Sequence, residues 1–415
     1  MSISPEQQVD AEQFASRHWF VPHGELRARA AALQACLVAA DIDAAVLHGN
    51  ADILYMTGGL VDGVVVVPAT GEPRVLARRA AERVAVETCW DVRRAVSTRE
   101  LAAELEQVGA SRGRIAVALD VLPAAQFLKL AAAVPSAELV ALTPHIRSVR
   151  AIKSAWELDN MRVAAEQVRD AMVTVARQVV PGHTELDGLR LAEGCMRADG
   201  HQGIVRMRRF GGEGGFGTVV AGANAALPGP LDAPLGGSGL YPSVGRGAST
   251  RELVAGDLLV LDLMGAANGY LSDCTRVVAV GGIGAIDEDL LAAQEWCVGV
   301  LEQVAAHAKP GVAPSALYQL ALDLAADAGH ADRFMGVAPD QARFVGHGIG
   351  MEVDEYPFLT HGFDTPLEAG MVFALEPKLV YPGRAAVGIE DSFVVVENGV
   401  MALPALPRDV IDMSW

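Results

Sequence analysis

Four acidic residues and one histidine stand where apolar or turn residues are expected in the second half of the chain. In residues 257–280, two apolar runs flank Asn268-Gly269, a pair that favours a two-residue hairpin turn. With that turn, Ala267 faces Tyr270, Met264 faces Asp273 and Asp262 faces Thr275. Alternation then puts Asp262 and Asp273 on one face, as diagonal neighbours about 7–8 Å apart at Cα. Asp262 interrupts the run Leu258-Leu259-Val260-Leu261, so it lies deep in an apolar strand. Two carboxylates there repel each other and are costly to bury without cations. A pair of divalent ions resolves the conflict. The alternative places one Asp in a structural hydrogen-bond network and the other at the surface.

Residues 344–357 read FVGHGIGMEVDEYP. His347 is bracketed by Gly346, Gly348 and Gly350, which let the backbone pass close to another group. The G-x-G-x-G spacing is not a dinucleotide fingerprint, and no clear strand-to-helix entry precedes it. Residues 371–377, MVFALEP, put Glu376 at the end of an apolar strand. Residues 387–396, VGIEDSFVVV, put Glu390 inside another, with Tyr381-Pro382-Gly383-Arg384 as the turn between them. Asp391 neighbours Glu390 but points to the opposite face. Carboxylates with one imidazole suit Mn, Co, Fe or Zn. Paired ions of this kind sit about 3.5–4 Å apart and hold a nucleophilic hydroxide.

These residues need rigid elements to position them. The first third alternates helical and strand patterns. Helices are expected over 26–40, 77–86 and 124–133, strands over 43–47, 61–67 and 115–119, and a turn over 55–59. A long helix follows over 155–180, stopped by Pro181-Gly182. Thr184 opens another, with Asp187 at capping-box spacing, running to Gly200. From about residue 205 glycine becomes dense and short apolar runs dominate, with two more helices near 287–307 and 314–328. The expected organisation is α+β: an α/β domain over 1–150 and a strand-rich domain over 151–415, joined near 148–155.

The 415 residues carry 33 Lys+Arg against 51 Asp+Glu, a net charge of −18, with no basic patch that could track a phosphate backbone. Nucleic-acid binding is therefore not expected. Hydrophobic residues at 51% and charged residues at 20% exclude a disordered chain. The first ten residues are polar, and no window of about 18 apolar residues exists, so neither a signal peptide nor a membrane helix is expected. Five scattered cysteines argue against a disulfide framework, and a cytoplasmic location is the default.

The order and spacing of the five residues resemble the pita-bread metallohydrolases: prolidase, Xaa-Pro aminopeptidase, methionine aminopeptidase and creatinase. The resemblance covers nearly the whole chain. ADILYMTGG (51–59) is similar to a turn of the creatinase-type N-terminal domain. VRAIKSAWELDNMRVAAE (149–166) is similar to the helix that opens the catalytic domain. Asp262, Asp273, His347, Glu376 and Glu390 match the five metal ligands, with spacings of 11 residues between the Asp pair and 14 between the Glu pair. The resemblance implies a creatinase-type domain followed by a pita-bread domain of curved antiparallel sheets with flanking helices. It implies two divalent ions (Mn, Co, Zn or Fe), bridged by Asp273 and Glu390. Asp262 would hold one ion, and His347 with Glu376 the other. Glu376 would also be the general base, taking a proton from a bridging hydroxide. A homodimer and a small-molecule or short-peptide substrate are implied as well.

Two positions depart from the peptidase pattern. The peptidases carry a histidine seven residues after the metal histidine; here Asp354 stands there. A second histidine, from a PHGxxS-like motif, is replaced in VGRGAST by Gly245 or Arg246, after an apparent insertion over 231–244. Arg246 can bind a substrate carboxylate. An ionised Asp354 cannot donate a hydrogen bond, but it can act as a base, bind a cationic group, or pair with a nearby Arg. His361 is a supporting or substrate-binding candidate on a loop. Arg206, Arg208 and Arg209 beside GGEGGFG form either a solvated turn or a carboxylate-capturing mouth.

The main expectation is a dinuclear metal-dependent hydrolase of the Xaa-Pro peptidase type, cleaving a C–N bond. One alternative keeps the metal site but changes the reaction. It would be a dimethylsulfoniopropionate-type lyase, or an ectoine- or creatine-type amide or amidine hydrolase, with Asp354 as base. A non-catalytic binding module is the third, and the complete ligand set counts against it. If four of the acidic residues are interior ligands, ions of charge +4 offset them and the surface is less acidic than the composition implies.

Overall fold

The computed structural model describes residues 20–95, 97–208, 212–404 and 406–412. The chain divides into two compact units, residues 1–150 and residues 151–208 with 212–415. No helix among the described residues is long and apolar enough to cross a membrane.

In the first unit, six strands form one mixed sheet: β1 (Ala44–Leu47), β2 (Asp62–Pro68), β3 (Arg74–Arg79), β4 (Asp91–Arg94), β5 (Arg114–Val117) and β6 (Glu138–Ala141). Their order is β4-β3-β2-β1-β5-β6, with β1, β2 and β3 antiparallel and the outer pairings parallel. Two local expectations are corrected. Residues 55–57 end a helix, Asn50–Thr57, rather than form a turn. Gly58 caps that helix at φ 77°, and a left-handed glycine signals a helix end as readily as a turn. Residues 77–79 belong to β3, and the helix is Ala81–Glu87. Pairing on both sides, with β2 and β4, overrides the helical preference of Ala and Arg there. The helix Asn50–Thr57 buries Asp52, whose Oδ1 accepts a hydrogen bond from Arg150 Nη1 at 2.8 Å. The two side chains are 0% and 1% exposed.

The second unit begins with a helix, Ala155–Gln178, whose N-terminus is closed by reciprocal bonds between Ser154 and Glu157. Thr184 and Asp187 close the next helix, Glu185–Ala198, in the same way. Two sheets follow. Strands β7 (Gly217–Ala221), β8 (Leu258–Ala267), β9 (Tyr270–Ala279) and the short β17 (Ile411–Asp412) form one, in the order β17-β9-β8-β7. The other is built from β10 (Phe344–Gly348), β11 (Glu355–Thr360), β12 (Val372–Leu375), β15 (Asp391–Val396) and β16 (Gly399–Leu403). Its order is β11-β10-β12-β15-β16, antiparallel throughout. The ribbon β13 (Lys378–Tyr381) with β14 (Ala385–Gly388) lies between β12 and β15 in the chain.

The two sheets meet where Thr275 and Glu390 pair through both of their backbone N–H groups at 3.2 Å. Helices Glu288–His307 and Pro314–Asp327 cover one apolar cluster, which includes Val260, Val277, Phe373 and Val387. The helix Ala155–Gln178 covers another, with Leu259, Leu261 and Val278. Side chains that alternate along β8 thus enter two different cores, which explains why nearly the whole strand is apolar.

Candidate metal centre

The hairpin β8–β9 has the register that Asn268-Gly269 implies: Ala267 opposite Tyr270, Met264 opposite Asp273 and Asp262 opposite Thr275. Asn268 takes φ 48° and Gly269 φ 91°, as the tight turn requires. Asp262 and Asp273 therefore share a face. On the other sheet, His347 lies in β10, not in a turn, between β11 and β12. Gly346 and Gly348 make this possible. A Cβ at either would sit 2.3 Å from a backbone atom of Ala374 or Tyr356. Glu376 follows β12, its N–H bonded to Val345 O at 2.9 Å. Glu390 occupies the junction of the two sheets.

Five expected residues converge through these elements. Ligating atoms of Asp273, His347 and Glu390 all lie within 4.8 Å of one another. His347 Nε2 is 3.6 Å from Glu376 Oε1 and 3.8 Å from Glu390 Oε1. Nδ1 lies 3.2 Å from Gly348 O, and with the proton placed there Nε2 offers its lone pair to the carboxylates' side of the ring, where an ion would sit. Asp273 and Glu390 are 6% and 1% exposed, yet Asp273 Oδ1 and Glu390 Oε1 have no hydrogen-bond partner. Orphaned buried carboxylate oxygens are expensive, and here they face an imidazole nitrogen at ligand spacing. The donor set fits a divalent ion of the Mn, Co, Fe or Zn kind.

Lys378, which sequence reasoning missed, also enters the cluster. It is fully buried. Its Nζ is 2.6 Å from Glu376 Oε2, 3.2 Å from Glu390 Oε2 and 3.5 Å from Asp262 Oδ2. A signal for it exists, since a basic residue opening the apolar run Lys378–Tyr381 is an intrusion of the same kind as the four carboxylates.

The electrostatics follow from this crowding. Burial pushes the Asp273 carboxyl well above the usual range, and the charges of Glu390, Asp262 and Glu376 push it further. Asp262 and Glu390 are also raised by burial, with Lys378 pulling both back. Burial alone would lower the Lys378 ammonium, but Asp262, Glu376 and Glu390 outweigh it and hold it well above its ordinary value.

Arg276 is a second residue that sequence reasoning missed. Its Nη1 donates to Glu390 O at 2.9 Å and its Nη2 to Asp391 Oδ1 at 2.6 Å, while Arg408 Nε donates to the other Asp391 oxygen. Asp391 thus points away from the cluster, as alternation requires, and anchors the strand that carries Glu390.

The remaining candidates lie as follows. Arg246 ends a loop, residues 227–247, closed by backbone bonds from Gly237 N to Leu227 O and from Gly247 N to Gly236 O. Its Nη2 donates to Glu213 O at 2.8 Å. Burial pushes its guanidinium down, while the charges of Asp262 and Glu213 push it up. Asp354 Oδ1 accepts the Arg208 N–H at 2.9 Å, and Val353 N donates to Arg206 O beside it. His361 is exposed after β11, its ring edge-on to Tyr318 with centroids 4.8 Å apart. Among the described residues, no hydrogen bond or ion pair joins His361 to the cluster. Arg208 is buried, with Nη1 3.7 Å from Glu352 Oε2, so it is not part of a solvated turn. Arg209 and Gly211 lie outside the described residues.

Residues 159–397 match the model of metallopeptidase family M24, and residues 29–152 match the creatinase/prolidase N-terminal domain. The chain belongs to metallopeptidase family M24. A probable dipeptidase PepE of Mycobacterium tuberculosis is 30% identical over 406 residues, covering 93% of this chain and 96% of that protein. An Xaa-Pro dipeptidase of Pyrococcus furiosus is 28% identical over 267 residues, covering 64% of this chain and 66% of the relative. Among solved structures, dipeptidase PepE from Mycobacterium ulcerans superposes with a TM-score of 0.78 at 28% identity, over 94% of this chain and 99% of that one. The X-Pro aminopeptidase from Thermotoga maritima gives 0.76 at 22% identity, over 92% and 99%, and shows the fold alone. The M24 chain is therefore a metal-dependent hydrolase with a creatinase-type N-terminal domain and a pita-bread catalytic domain, as the resemblance implied.

Proposed function

We propose that this chain hydrolyses a C–N bond of a short peptide, with dipeptides, including Xaa-Pro dipeptides, as the first substrate class. The observation that carries the reading is the meeting of Asp273, His347 and Glu390, with ligating atoms within 4.8 Å of one another, in a cluster where Asp273 Oδ1 and Glu390 Oε1 have no hydrogen-bond partner. Full-length similarity to a probable dipeptidase supports the substrate class. Asp273, His347 and Glu390 would hold a divalent ion, with Asp262 and Glu376, the other two residues of the spacing pattern, beside it. When bound, the metal supplies Lewis-acid polarisation of the scissile carbonyl and acidifies water. The two-ion, bridging-hydroxide form requires the same oxygens that Lys378 contacts.

The chain's own residues do the rest. Glu376 borders the cluster through both of its oxygens, at His347 and at Lys378. A carboxylate there can take a proton from the attacking water and pass it to the leaving nitrogen. Arg246, half-buried and near Asp262, supplies the cation that captures a substrate carboxylate. A homodimer in the cytoplasm completes the proposal.

The lyase alternative needs Asp354 as a free base. Its Oδ1 instead holds the Arg208 N–H and, with the Val353–Arg206 bond, ties two loops together. This geometry favours a tethering role. A substrate panel on protein reconstituted with Mn, Co or Zn decides between them. Release of free amino acids from dipeptides is the expected result. Cleavage of betaine-like compounds with all dipeptides left intact would overturn it, and Asp354→Asn would then abolish turnover.

A further inference from the structure

The cluster's oxygens are divided between two kinds of cation. Asp262 Oδ2, Glu376 Oε2 and Glu390 Oε2 surround Lys378 Nζ at 3.5, 2.6 and 3.2 Å. Asp273 Oδ1 and Glu390 Oε1 make no hydrogen bond, and both residues offer an oxygen within 4.8 Å of a His347 ring nitrogen. The ammonium donates hydrogen bonds to Glu376 Oε2 and Glu390 Oε2, and Asp262 completes the set as an ion pair at 3.5 Å. The lysine does not enter this place by chance of a long side chain. It pairs with Gly388 across the β13–β14 ribbon. A Cβ at 388 would lie 2.3 Å from Lys378 Cγ and 2.8 Å from its Cα, so only glycine leaves the channel that the side chain fills. Gly388 is itself clamped, its N–H bonded to Gln294 Oε1 at 2.7 Å and its O accepting from Gln294 Nε2 at 3.0 Å.

We propose that Lys378 is a built-in cation standing in for one of two metal ions, so that the chain binds a single divalent ion on Asp273, His347 and Glu390. A second divalent ion on the Asp262, Glu376 and Glu390 oxygens would need carboxylate contacts of about 2.0–2.2 Å. It would therefore have to occupy the place of a fully buried ammonium or press against it, like charge against like charge. Asp262 and Glu376 then balance the lysine, and Glu390 serves both cations through its two oxygens. The inference rests on the reading of this cluster as a divalent-metal site.

The test is a count. Metal-free full-length protein is equilibrated with Mn²⁺ alone, bound metal is measured by mass spectrometry after dialysis, and electron paramagnetic resonance reports whether bound Mn²⁺ ions are coupled. The wild type is expected to bind one ion per chain, with the spectrum of isolated Mn²⁺. Lys378→Met, which keeps the length and removes the charge, is expected to bind two, with a spin-coupled spectrum. Lys378→Arg keeps the charge and is expected to stay at one. Two ions per wild-type chain with a coupled spectrum overturn the role of Lys378 and leave the proposed hydrolase intact. No ion in the wild type overturns the metal reading itself. A folded Lys378→Met that still binds one ion shows that the lysine does not set the count. If that variant fails to fold, the wild-type count and spectrum decide alone.

Discussion

Asp52 in the first unit and Asp273 in the second are both removed from solvent, but only one has its charge answered by the chain. Asp52 meets the Arg150 guanidinium at 2.8 Å, with both side chains buried. Asp262, Glu376 and Glu390 already share one ammonium, and Asp273 beside them keeps an oxygen with no hydrogen-bond partner. A closed pair of this kind is a structural device, whereas an excess of buried negative charge needs something from outside. The contrast separates scaffold from site on charge balance alone.

The sharpest way to break the contrast is to remove the open side. Glu376→Gln is expected to lower kcat by about 10³-fold, the range for losing a general base. Bound Mn²⁺ should persist, measured on the same preparation. Loss of both activity and metal would make Glu376 a ligand first. Next comes the closed pair. Arg150→Ala breaks this buried ion pair and is expected to cost about 3–5 kcal/mol in denaturant unfolding, with metal affinity unchanged. In metal-free protein, Asp273→Asn should do the reverse and leave stability unchanged or raised, because it relieves repulsion. If both substitutions destabilise equally, the distinction between the two carboxylates fails.

Arg246→Ala is expected to raise KM for a dipeptide, with kcat/KM falling by about 1.5–3 kcal/mol, the worth of a charged hydrogen bond. Equal loss toward a substrate lacking the carboxylate would exclude carboxylate capture.

The smallest effect is the pH dependence of the metal-free protein. The folded-state pKa of Asp273 is raised by burial and by Glu390, Asp262 and Glu376. Below the unfolded value, about 3.9, both states hold the proton and the group contributes nothing. Above it, the folded state keeps a proton that the unfolded state has lost. This contribution therefore weakens the fold as pH rises toward the folded value. Wild-type minus Asp273→Asn stability, from Tm at pH 5 and pH 7.5, should be more unfavourable at pH 7.5. Saturating Mn²⁺ should abolish the difference. A difference of the opposite sign would show that Asp273 is already paired in the metal-free chain.

Much of the site is legible in the sequence because its residues violate local pattern. Asp262 and Asp273 fall on one face from the sequence alone, since a two-residue turn at Asn268-Gly269 leaves a single register. Glu376 and Glu390 stand out as carboxylates in apolar runs, and alternation sends Asp391 the other way, where Arg276 and Arg408 hold it. Residues 55–57 mislead because a glycine pair ends a helix and makes a turn by the same backbone conformation. Residues 77–79 mislead because strand pairing on both sides outweighs local preference.

The sequence by itself determined which residues carry charge into the apolar strands, and their order and spacing carried the resemblance to the family that the M24 chain belongs to. Period-two alternation and one turn are local properties, and they sufficed to pair the two aspartates. Only the tertiary structure decided what those charges meet. Glu390 reaches Thr275 across 115 residues, and no local rule brings the two sheets together there. Lys378 went unread in the sequence, although it opens an apolar run. It becomes the centre of three carboxylates because Gly388, clamped by Gln294, opens the space for its side chain. The charges around Lys378 are set by that packing, since charge balance depends on distances that composition does not contain.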